Sequence, residues 1–290
     1  MNKPFMYKVG AITPTFLLLL SMINDVAAQS SRALTDSLTT YLRQLTPSAR
    51  VSLAVGSMTD SSQSFTYRAD ERVPSASVIK LPILLEAMER VKAGTLDLAE
   101  IHILTDSEKV GGSGVLRTYP HRSRISYNDL LRLMMVYSDN TATNIFINEL
   151  GMAAVNARMR TIGLTKSRLS RVMMDTTAAR QGRDNYVTAG EMNALLTKIY
   201  RHQVATPALC EQMLDLLKQC DDTLTIPRLL PKGTVVAHKT GTLAYVRGDV
   251  GLVYAKQPFV LSVFVEGVPT PDAERIIAEI ASLCFRTFTR

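Results

Sequence analysis

Two residues at the start of an apolar segment have the types and spacing of a nucleophile and its base. Ser77 and Lys80 lie three positions apart, which places both side chains on one face of a helix. A serine hydroxyl is a weak nucleophile until a base removes its proton, and a neutral lysine can do so when burial or nearby cations lower its pKa. Val78, Ile79 and Leu81 surround this lysine in the sequence. The pattern therefore favours a buried, activating lysine over an exposed lysine at an ordinary helix start.

Two further short motifs carry groups suited to an anionic ligand. Ser138-Asp139-Asn140 follows an apolar helical run, and Lys239-Thr240-Gly241-Thr242 falls at the end of a strand-like segment. Each motif alone is also typical of a capping turn or a β-turn. The lysine of the second motif supplies a cation, and its glycine lets a strand approach a ligand closely.

In this order, the three motifs resemble the Ser-x-x-Lys, Ser-Asp-Asn and Lys-Thr-Gly set of penicillin-recognising serine enzymes, most closely class A β-lactamases. Each motif occurs once, with Ser138 61 positions after Ser77 and Lys239 101 positions after Ser138. These separations, the chain length and the order of elements are similar to those of class A enzymes. The resemblance therefore extends over essentially the whole chain after its first 28 residues.

The resemblance implies a role for each motif residue. Ser77 is the residue that becomes acylated, Lys80 is its base, and Ser138 relays a proton to the leaving β-lactam nitrogen. The implied substrate-binding groups are Asn140 for the substrate side chain, Lys239 and Thr240 for its carboxylate, and the backbone N–H groups of Ser77 and Thr242 as the oxyanion hole. Arg247, a few residues further on, is either a second carboxylate contact or a surface arginine.

One loop departs from the class A pattern. In those enzymes a glutamate activates the water that releases the acyl group, and an Arg–Asp ion pair closes the loop. The matching residues 171–184 offer Arg171 and Asp184 for the ion pair but contain no glutamate. Met173 takes the place of the general base, and its side chain cannot accept a proton in that role. Asp175 is either a shifted substitute base or a cap of the following turn.

The elements that position these motifs follow from hydrophobic periodicity. Alternation typical of strands occurs near both ends of the chain, and helical periodicity dominates between residues 77 and 232. We therefore expect an α/β fold of the α+β type, in which an antiparallel sheet built from both termini is flanked by helices and an all-helical lobe is inserted. The expected single β-lactamase-like domain comprises an α/β lobe of residues 29–72 plus 233–290 and a helical lobe of residues 73–232, with the site in the cleft between them.

The first 28 residues have the layout of a secretory signal peptide. Two lysines precede an apolar run at residues 9–22, and Val26-Ala27-Ala28 supplies the small residues of a cleavage site. The run is shorter than the ~20 residues that span a bilayer, and Pro14 interrupts it. We therefore expect cleavage after Ala28 and a periplasmic or secreted protein without stable membrane insertion.

Composition limits the partners. The net charge of +7 is scattered, and the densest basic cluster is only His121-Arg122-Ser123-Arg124, whereas nucleic acids need a concentrated basic patch. The four histidines have no metal-ligand spacing. We expect no nucleic acid, no metal and no other cofactor. The expected partner is a small molecule, a β-lactam or an acyl-D-Ala-D-Ala-like compound, bound by a monomer.

The chain has an odd number of cysteines, three, so they cannot all be paired in disulfides within the chain. Cys210 and Cys220 lie in a segment of helical periodicity that would separate them by ~15 Å, too far for a disulfide unless the helix breaks. At least one thiol is therefore expected to be free and buried.

Three functional hypotheses remain open. The first is a class A type β-lactamase in which Asp175 or Lys80 activates the water that releases the acyl group. The second is a related serine hydrolase, either a peptidoglycan D-Ala-D-Ala peptidase or an esterase. The third is a protein that traps or senses β-lactams by stable acylation, since loss of the glutamate affects release and leaves acylation intact.

Overall fold

The computed structural model describes residues 31–289. The predicted signal peptide, residues 1–28, lies outside this range and stays a prediction. Within residues 31–289, no helix combines the length and the apolar character that crossing a membrane requires.

The strands form one large sheet and two short pairs. The main sheet is antiparallel, with the order β2-β1-β9-β8-β7. The strands are β1 (Arg50–Ser57), β2 (Ser64–Tyr67), β3 (Val73–Pro74), β4 (Ile101–Ile103), β5 (Arg124–Ser126), β6 (Tyr186–Val187), β7 (Val236–Leu243), β8 (Val246–Val253) and β9 (Phe259–Glu266). Because β1 pairs directly with β9, the two ends of the chain build one sheet, as the sequence predicts.

Helices cover both faces of this sheet. They are α1 (31–43), α2 (Lys80–Lys92), α3 (Tyr127–Val136), α4 (Asn140–Leu150), α5 (Met152–Thr161), α6 (Thr176–Arg180), α7 (Ala189–Tyr200), α8 (Pro207–Lys218) and α9 (Thr270–Phe288). α1 and α9 pack on one face, and the helices inserted between β3 and β7 lie on the other side. The mixed α/β fold is confirmed.

The apolar run of β9 explains how the two cores share one sheet. Val260 and Phe264 belong to the core of the inserted helices, whereas Leu261 and Val263 belong to the core under α1 and α9. Successive side chains of a strand point to opposite faces, so a strand covered on both sides has apolar residues at nearly every position. Both faces of β9 are buried.

Two details differ from the pattern. The inserted lobe also contains two strand pairs, β3 with β6 and β4 with β5, which are too short to show periodicity. In addition, β7 runs on through the Lys-Thr-Gly motif to Leu243, because its pairing with β8 continues to Val246. The motif therefore lies within a strand rather than at its end. The lobe limits at residues 72 and 232 stay a prediction.

Candidate active site

Ser77 lies in a tight turn that leads into α2. The turn is a 3-10 helix at Ala76–Ile79, in which residues three apart are nearly eclipsed, so Ser77 and Lys80 meet. Ala76 has φ +46°, a left-handed conformation that costs a residue with a Cβ atom of order 1 kcal/mol. Strained backbone conformations of this kind persist where the surrounding structure holds the backbone in place, and they are common at active sites. The hydroxyl of Ser77 is thereby held toward the lysine.

Lys80 connects two of the three motifs. Its Nζ lies 3.0 Å from Ser77 Oγ, 2.9 Å from Ser138 Oγ, 2.6 Å from the Ser138 carbonyl oxygen and 3.1 Å from Asn140 Oδ1. The side chain is 0% exposed. Ser138 itself has φ +54°, which turns both its carbonyl and its hydroxyl to the amine. The structure therefore brings Ser77, Lys80, Ser138 and Asn140 into one contact set.

These four contacts suit a neutral amine. The Ser138 carbonyl and Asn140 Oδ1 can only accept, so they take two N–H hydrogens of Lys80. A neutral amine then has its lone pair free for one of the two hydroxyls, whereas a charged ammonium has no acceptor. Burial lowers the pKa of Lys80 well below its usual value, and the charge of Lys239 lowers it further against the opposing effect of Asp139. Lys80 is thus able to accept the Ser77 proton.

Asp139, the middle residue of its motif, has a positioning role that the sequence reasoning missed. Its carboxylate caps α4 by accepting the Ala142 N–H at 2.9 Å. The same carboxylate accepts the N–H groups of Val115 and Leu116 at 2.7 and 2.9 Å. It thereby ties the loop before α3 to the start of α4. The signal in the sequence was an aspartate immediately before a helix, which is a preferred N-cap.

The Lys-Thr-Gly strand passes directly beside the serine turn. A Cβ atom added at Gly241 would lie 2.9 Å from the Ser75 carbonyl oxygen and 3.1 Å from the Ser77 nitrogen, so any side chain there would push β7 away. Lys239 is fully buried next to this contact, and its Nζ donates to the Thr240 carbonyl at 3.0 Å. Burial lowers its pKa. Gly241 thus lets β7 pass close to the serine turn, and its predicted close approach to a ligand stays a prediction.

Arg247 supports the strand from β8. Its Nη1 donates to the hydroxyl of Thr242 at 2.7 Å, and its Nη2 pairs with Asp222 at 2.6 Å and Glu274 at 3.2 Å. The residue is only 3% exposed. The surface-arginine alternative is therefore wrong, because two carboxylates and a hydroxyl enclose the guanidinium. Asp222, which the sequence did not single out, fixes this arginine from the loop after α8.

The loop of residues 171–184 places a methionine in the position expected for a base. Asn144 clamps its backbone: the side chain accepts the Met173 N–H at 2.7 Å and donates to the Met173 carbonyl at 3.1 Å. The Met173 side chain is 8% exposed. Met174, which has φ +67°, lies beside Gly112, where an added Cβ would be 2.9 Å from the Met174 sulfur. Two thioethers therefore occupy this part of the loop.

Asp175 is engaged within the loop itself. Its carboxylate accepts the Ala178 N–H at 2.9 Å and caps the short helix α6. Among the described residues, no hydrogen bond joins Asp175 to Ser77 or Lys80. The cap that the sequence offered as one alternative is thus formed, and the role of substitute base stays a proposal.

The ion pair expected to close the loop is present. Arg171 Nε lies 2.8 Å from Asp184 Oδ1, and the two side chains are 10% and 8% exposed. Asp184 also accepts from Tyr245 at 3.3 Å, which links the loop to the turn after β7. The ion pair therefore joins the first and last residues of the loop, and Tyr245 binds the loop at Asp184.

We expect Asp184→Asn to lower the free energy of unfolding by about 2–4 kcal/mol, because the change leaves a largely buried guanidinium without its counter-charge. Urea denaturation followed by circular dichroism measures this effect. Asp70→Asn is the matched control, since the Asp70–Lys166 pair is exposed and such pairs contribute little. Equal stability of the two variants would contradict a structural role for the Arg171–Asp184 pair.

Within residues 31–289, no group of three or more His, Cys, Asp or Glu side chains has the arrangement of a metal site. The groups assembled at the site are a serine hydroxyl, two lysines, amide and hydroxyl donors and backbone N–H groups. Such a set can perform acyl transfer to serine and can bind a carboxylate.

Comparison with known proteins agrees with this chemistry. The sequence model of the Beta-lactamase enzyme family matches residues 33–288. Beta-lactamase VEB-1 of Pseudomonas aeruginosa is 26% identical over 296 residues, covering 94% of this chain and 96% of that protein. Carbapenem-hydrolyzing beta-lactamase KPC of Klebsiella oxytoca is 29% identical, covering 92% of this chain and 94% of that protein.

Two solved structures are similar over most of the chain. The beta-lactamase of Sphaerobacter thermophilus has 28% identity and a TM-score of 0.77, covering 83% of this chain and 91% of its own. PBP-A has 25% identity and a TM-score of 0.79, covering 91% of this chain and 96% of its own.

Proposed function

Because the chain belongs to the Beta-lactamase enzyme family, we propose that it is a serine β-lactamase of class A type that opens β-lactam rings through a covalent acyl-enzyme on Ser77. The observation that carries this proposal is the buried Lys80 amine, 3.0 Å from Ser77 Oγ and 2.9 Å from Ser138 Oγ. The amine touches both the hydroxyl that must lose a proton and the hydroxyl that must deliver one.

Acylation follows from these contacts. Ser77 Oγ attacks the β-lactam carbonyl carbon while its proton moves to Lys80 Nζ, and the backbone N–H groups of Ser77 and Thr242 stabilise the oxyanion. When the C–N bond breaks, Ser138 Oγ gives its proton to the nitrogen. Ser138 then regains a proton from Lys80, which returns to its neutral state. The two proton transfers within the protein, from Ser77 to Lys80 and from Lys80 to Ser138, use contacts of 3.0 and 2.9 Å.

Substrate binding uses the cationic strand β7. Lys239 and Thr240 hold the substrate carboxylate, and Asn140 orients the substrate side chain. Arg247 acts through the Thr242 hydroxyl, because the guanidinium is enclosed by Asp222 and Glu274. It therefore positions the strand without direct contact with the substrate.

Release of the acyl group is the slow step of the proposed cycle. Met173 offers no proton acceptor where a general base would stand, so another group must activate water. The neutral Lys80 amine is the stronger candidate, since it touches Ser77 directly, whereas Asp175 caps α6 and has no hydrogen bond to Ser77 or Lys80 among the described residues. Turnover by this route is expected to be slower than with a dedicated carboxylate base.

A second function is favoured by the same methionine. A chain that acylates at Ser77 with a β-lactam and retains the acyl group would trap β-lactams, whereas a D-Ala-D-Ala peptidase or an esterase would release acyl groups derived from its own substrates at the same serine. The likeness to PBP-A supports this alternative at 25% identity. Acylation at Ser77 is common to both functions, and the rate of release separates them.

We also propose that the protein is exported to the periplasm or the medium and is monomeric. Support comes from the leader pattern of residues 1–28 and from the family.

Burst kinetics with nitrocefin test the proposed function. We expect a burst of about one equivalent per chain followed by slower steady turnover, because acylation outpaces release. A burst with no later turnover would identify the trapping protein. No burst, together with activity on esters or D-Ala-D-Ala peptides, would overturn the β-lactamase assignment and favour the peptidase or esterase.

The burst rate should fall as pH is lowered. Lys80 accepts the Ser77 proton only when neutral, and its pKa lies well below the usual value of 10.5 because of burial and the charge of Lys239, opposed by Asp139. The rate is therefore constant above this lowered pKa and declines about tenfold per pH unit below it. Stopped-flow nitrocefin bursts across pH give the profile. Lys80→Arg places at this position a guanidinium that cannot deprotonate, so no pH should restore its burst. A burst rate that rises toward acid pH would contradict Lys80 as the base.

A further inference from the structure

A basic cavity lies at the surface beside α5, and none of the residues that line it takes part in the proposed mechanism. Its volume is about 400 Å³, and its walls carry four cationic side chains, which belong to Arg72, Arg160, Lys166 and Arg168. Arg72 is far from the other three in the sequence. The basic residues that are scattered along the chain are therefore gathered at this cavity by folding.

Three elements bring the cations together. α5 carries Asn156 and Arg160, which are four positions apart and so share one face of the helix. Arg168 and Tyr186 of β6 exchange two backbone hydrogen bonds, of 2.8 and 3.0 Å. Arg72 directly precedes β3, which pairs with β6, and its guanidinium lies 4.5 Å from the centre of the Tyr186 ring. Tyr186 therefore brings Arg72 and Arg168 close to each other.

The loop between α5 and Tyr186 is held in place by side chains. Asn156 accepts the Leu169 N–H at 2.9 Å and donates to the Leu169 carbonyl at 2.8 Å. The Glu191 carboxylate accepts the N–H groups of Lys166 and Ser167 at 2.7 and 2.6 Å. The cavity wall is thus fixed before a ligand arrives, which reduces the entropy that binding has to overcome.

The positive charge of the cavity is only partly neutralised. Within residues 31–289, Lys166 forms an exposed ion pair with Asp70 at 2.8 Å, whereas the three guanidinium groups have no ion pair. Glu191 is the other carboxylate that contacts this loop. Four cations against two carboxylates leave an excess of two positive charges.

Ser167 is a second and independent sign of a ligand. It lines the cavity and is only 7% exposed, and its hydroxyl has no hydrogen-bond partner within residues 31–289. Buried polar groups are almost always hydrogen-bonded, because an unpaired one costs free energy. A ligand rich in oxygen atoms would supply the missing partner.

We propose that this cavity binds a phosphate-bearing ligand with at least two negative charges. Guanidinium groups present paired N–H donors that match the oxygens of a phosphate, and two negative charges balance the excess charge of the cavity. A volume of about 400 Å³ is within the range of small-molecule sites. Because the cavity lies at the surface, the phosphate belongs either to a soluble compound or to a lipid headgroup. The proposal does not depend on the proposed function.

Calorimetric titration of the full protein with inorganic diphosphate tests the site. Saturable binding is expected, and it should weaken as NaCl is added. The double variant Arg160→Gln, Arg168→Gln should bind at least about tenfold more weakly, since it removes charge-assisted hydrogen bonds. Both side chains are exposed, and neither makes a hydrogen bond or an ion pair among the described residues, so the fold should persist.

The matched control is the double variant Arg122→Gln, Arg124→Gln. It removes the same charge from two exposed arginines of the densest basic cluster in the sequence, which lies outside this cavity. Its affinity for diphosphate should equal that of the wild type. Equal weakening in the two double variants would overturn the site, because it would show a general effect of net charge.

Ser167→Ala separates a binding role from a structural one. The variant should bind diphosphate several-fold more weakly and yet have a Tm no lower than the wild type, because the hydroxyl that it removes has no partner in the free protein. An unchanged affinity would overturn the role of Ser167 in the site.

Vesicle flotation distinguishes the two sources of phosphate. Binding to phosphatidylcholine vesicles that contain phosphatidic acid, lost in the Arg160, Arg168 variant and kept in the control, would assign the ligand to a lipid headgroup. Diphosphate binding without this pattern on vesicles would assign it to a soluble compound. If the wild type shows no saturable binding of diphosphate, the proposal is wrong.

Discussion

Replacing Ser77 with alanine is expected to reduce β-lactam opening by at least about 10³-fold, since no other group in the site can form the acyl-enzyme. The neighbouring hydroxyl of Ser138 cannot substitute, because it is the proton donor to the leaving nitrogen. The surrounding structure should persist, as Ser77 Oγ is bonded to Lys80 alone among the described residues. Steady-state nitrocefin assays and intact mass spectrometry after exposure to penicillin measure the loss.

Ser75→Ala provides the matched control for this change. Ser75 is two residues away in the same turn and is buried, and within residues 31–289 its hydroxyl donates only to the adjacent Ala76 carbonyl, at 3.2 Å. We expect that variant to keep activity within about tenfold of the wild type, because a local hydrogen bond of this kind contributes about 1 kcal/mol. Full activity of Ser77→Ala would contradict every covalent account of the site.

Replacing Met173 with glutamate is expected to accelerate release of the acyl group by about 10²–10⁴-fold, the usual contribution of a general base. The backbone of Met173 is already clamped by both polar atoms of the Asn144 side chain, so a carboxylate introduced there would start from a fixed position. Because the residue is largely buried, the new carboxyl should have a raised pKa, and the gain should grow with pH. Decay of the acyl-enzyme mass after removal of free penicillin gives the rate.

Met173→Gln is the control for shape and polarity. Glutamine has the size of glutamate but cannot act as a base, so its acyl-enzyme should decay at the wild-type rate. Equal decay of the Glu and Gln variants would show that the missing carboxylate does not limit release. In that case the deacylating water would be positioned elsewhere, with Asp175 as the group to replace next.

The parts of the site that sequence could specify are those set by short-range spacing. Ser77 and Lys80 meet because residues three apart share a helical face, and the apolar neighbours of Lys80 already indicated its burial. The run of β9 from Phe259 to Val265 predicts a strand covered on both faces, since every side chain along it except that of Ser262 is apolar.

The parts that sequence could not specify depend on which distant residues meet. Asp139 connects α4 to the loop at Val115. The local sequence pattern predicts that Asp139 caps α4, but it does not indicate which loop the same carboxylate binds. The sequence does not decide whether Arg247 lies on the surface or in the site, because its partners, Asp222 and Glu274, are brought to it by folding.

The pair formed by His238 and Asp249 shows the same limit. The pairing of β7 with β8 sets His238 opposite Gly251 and brings the Asp249 carboxylate within 3.0 Å of His238 Nδ1. No local pattern in the sequence indicates that these two residues meet.

Peptide-mapped mass spectrometry of the wild-type protein, quenched seconds after mixing with penicillin, tests the central claim most directly. We expect an added mass equal to the whole penicillin molecule, because ring opening loses no atoms, and we expect it on the peptide that contains Ser77. Penicillin consumption without this adduct, or an adduct on another residue, would contradict acylation of Ser77 activated by Lys80.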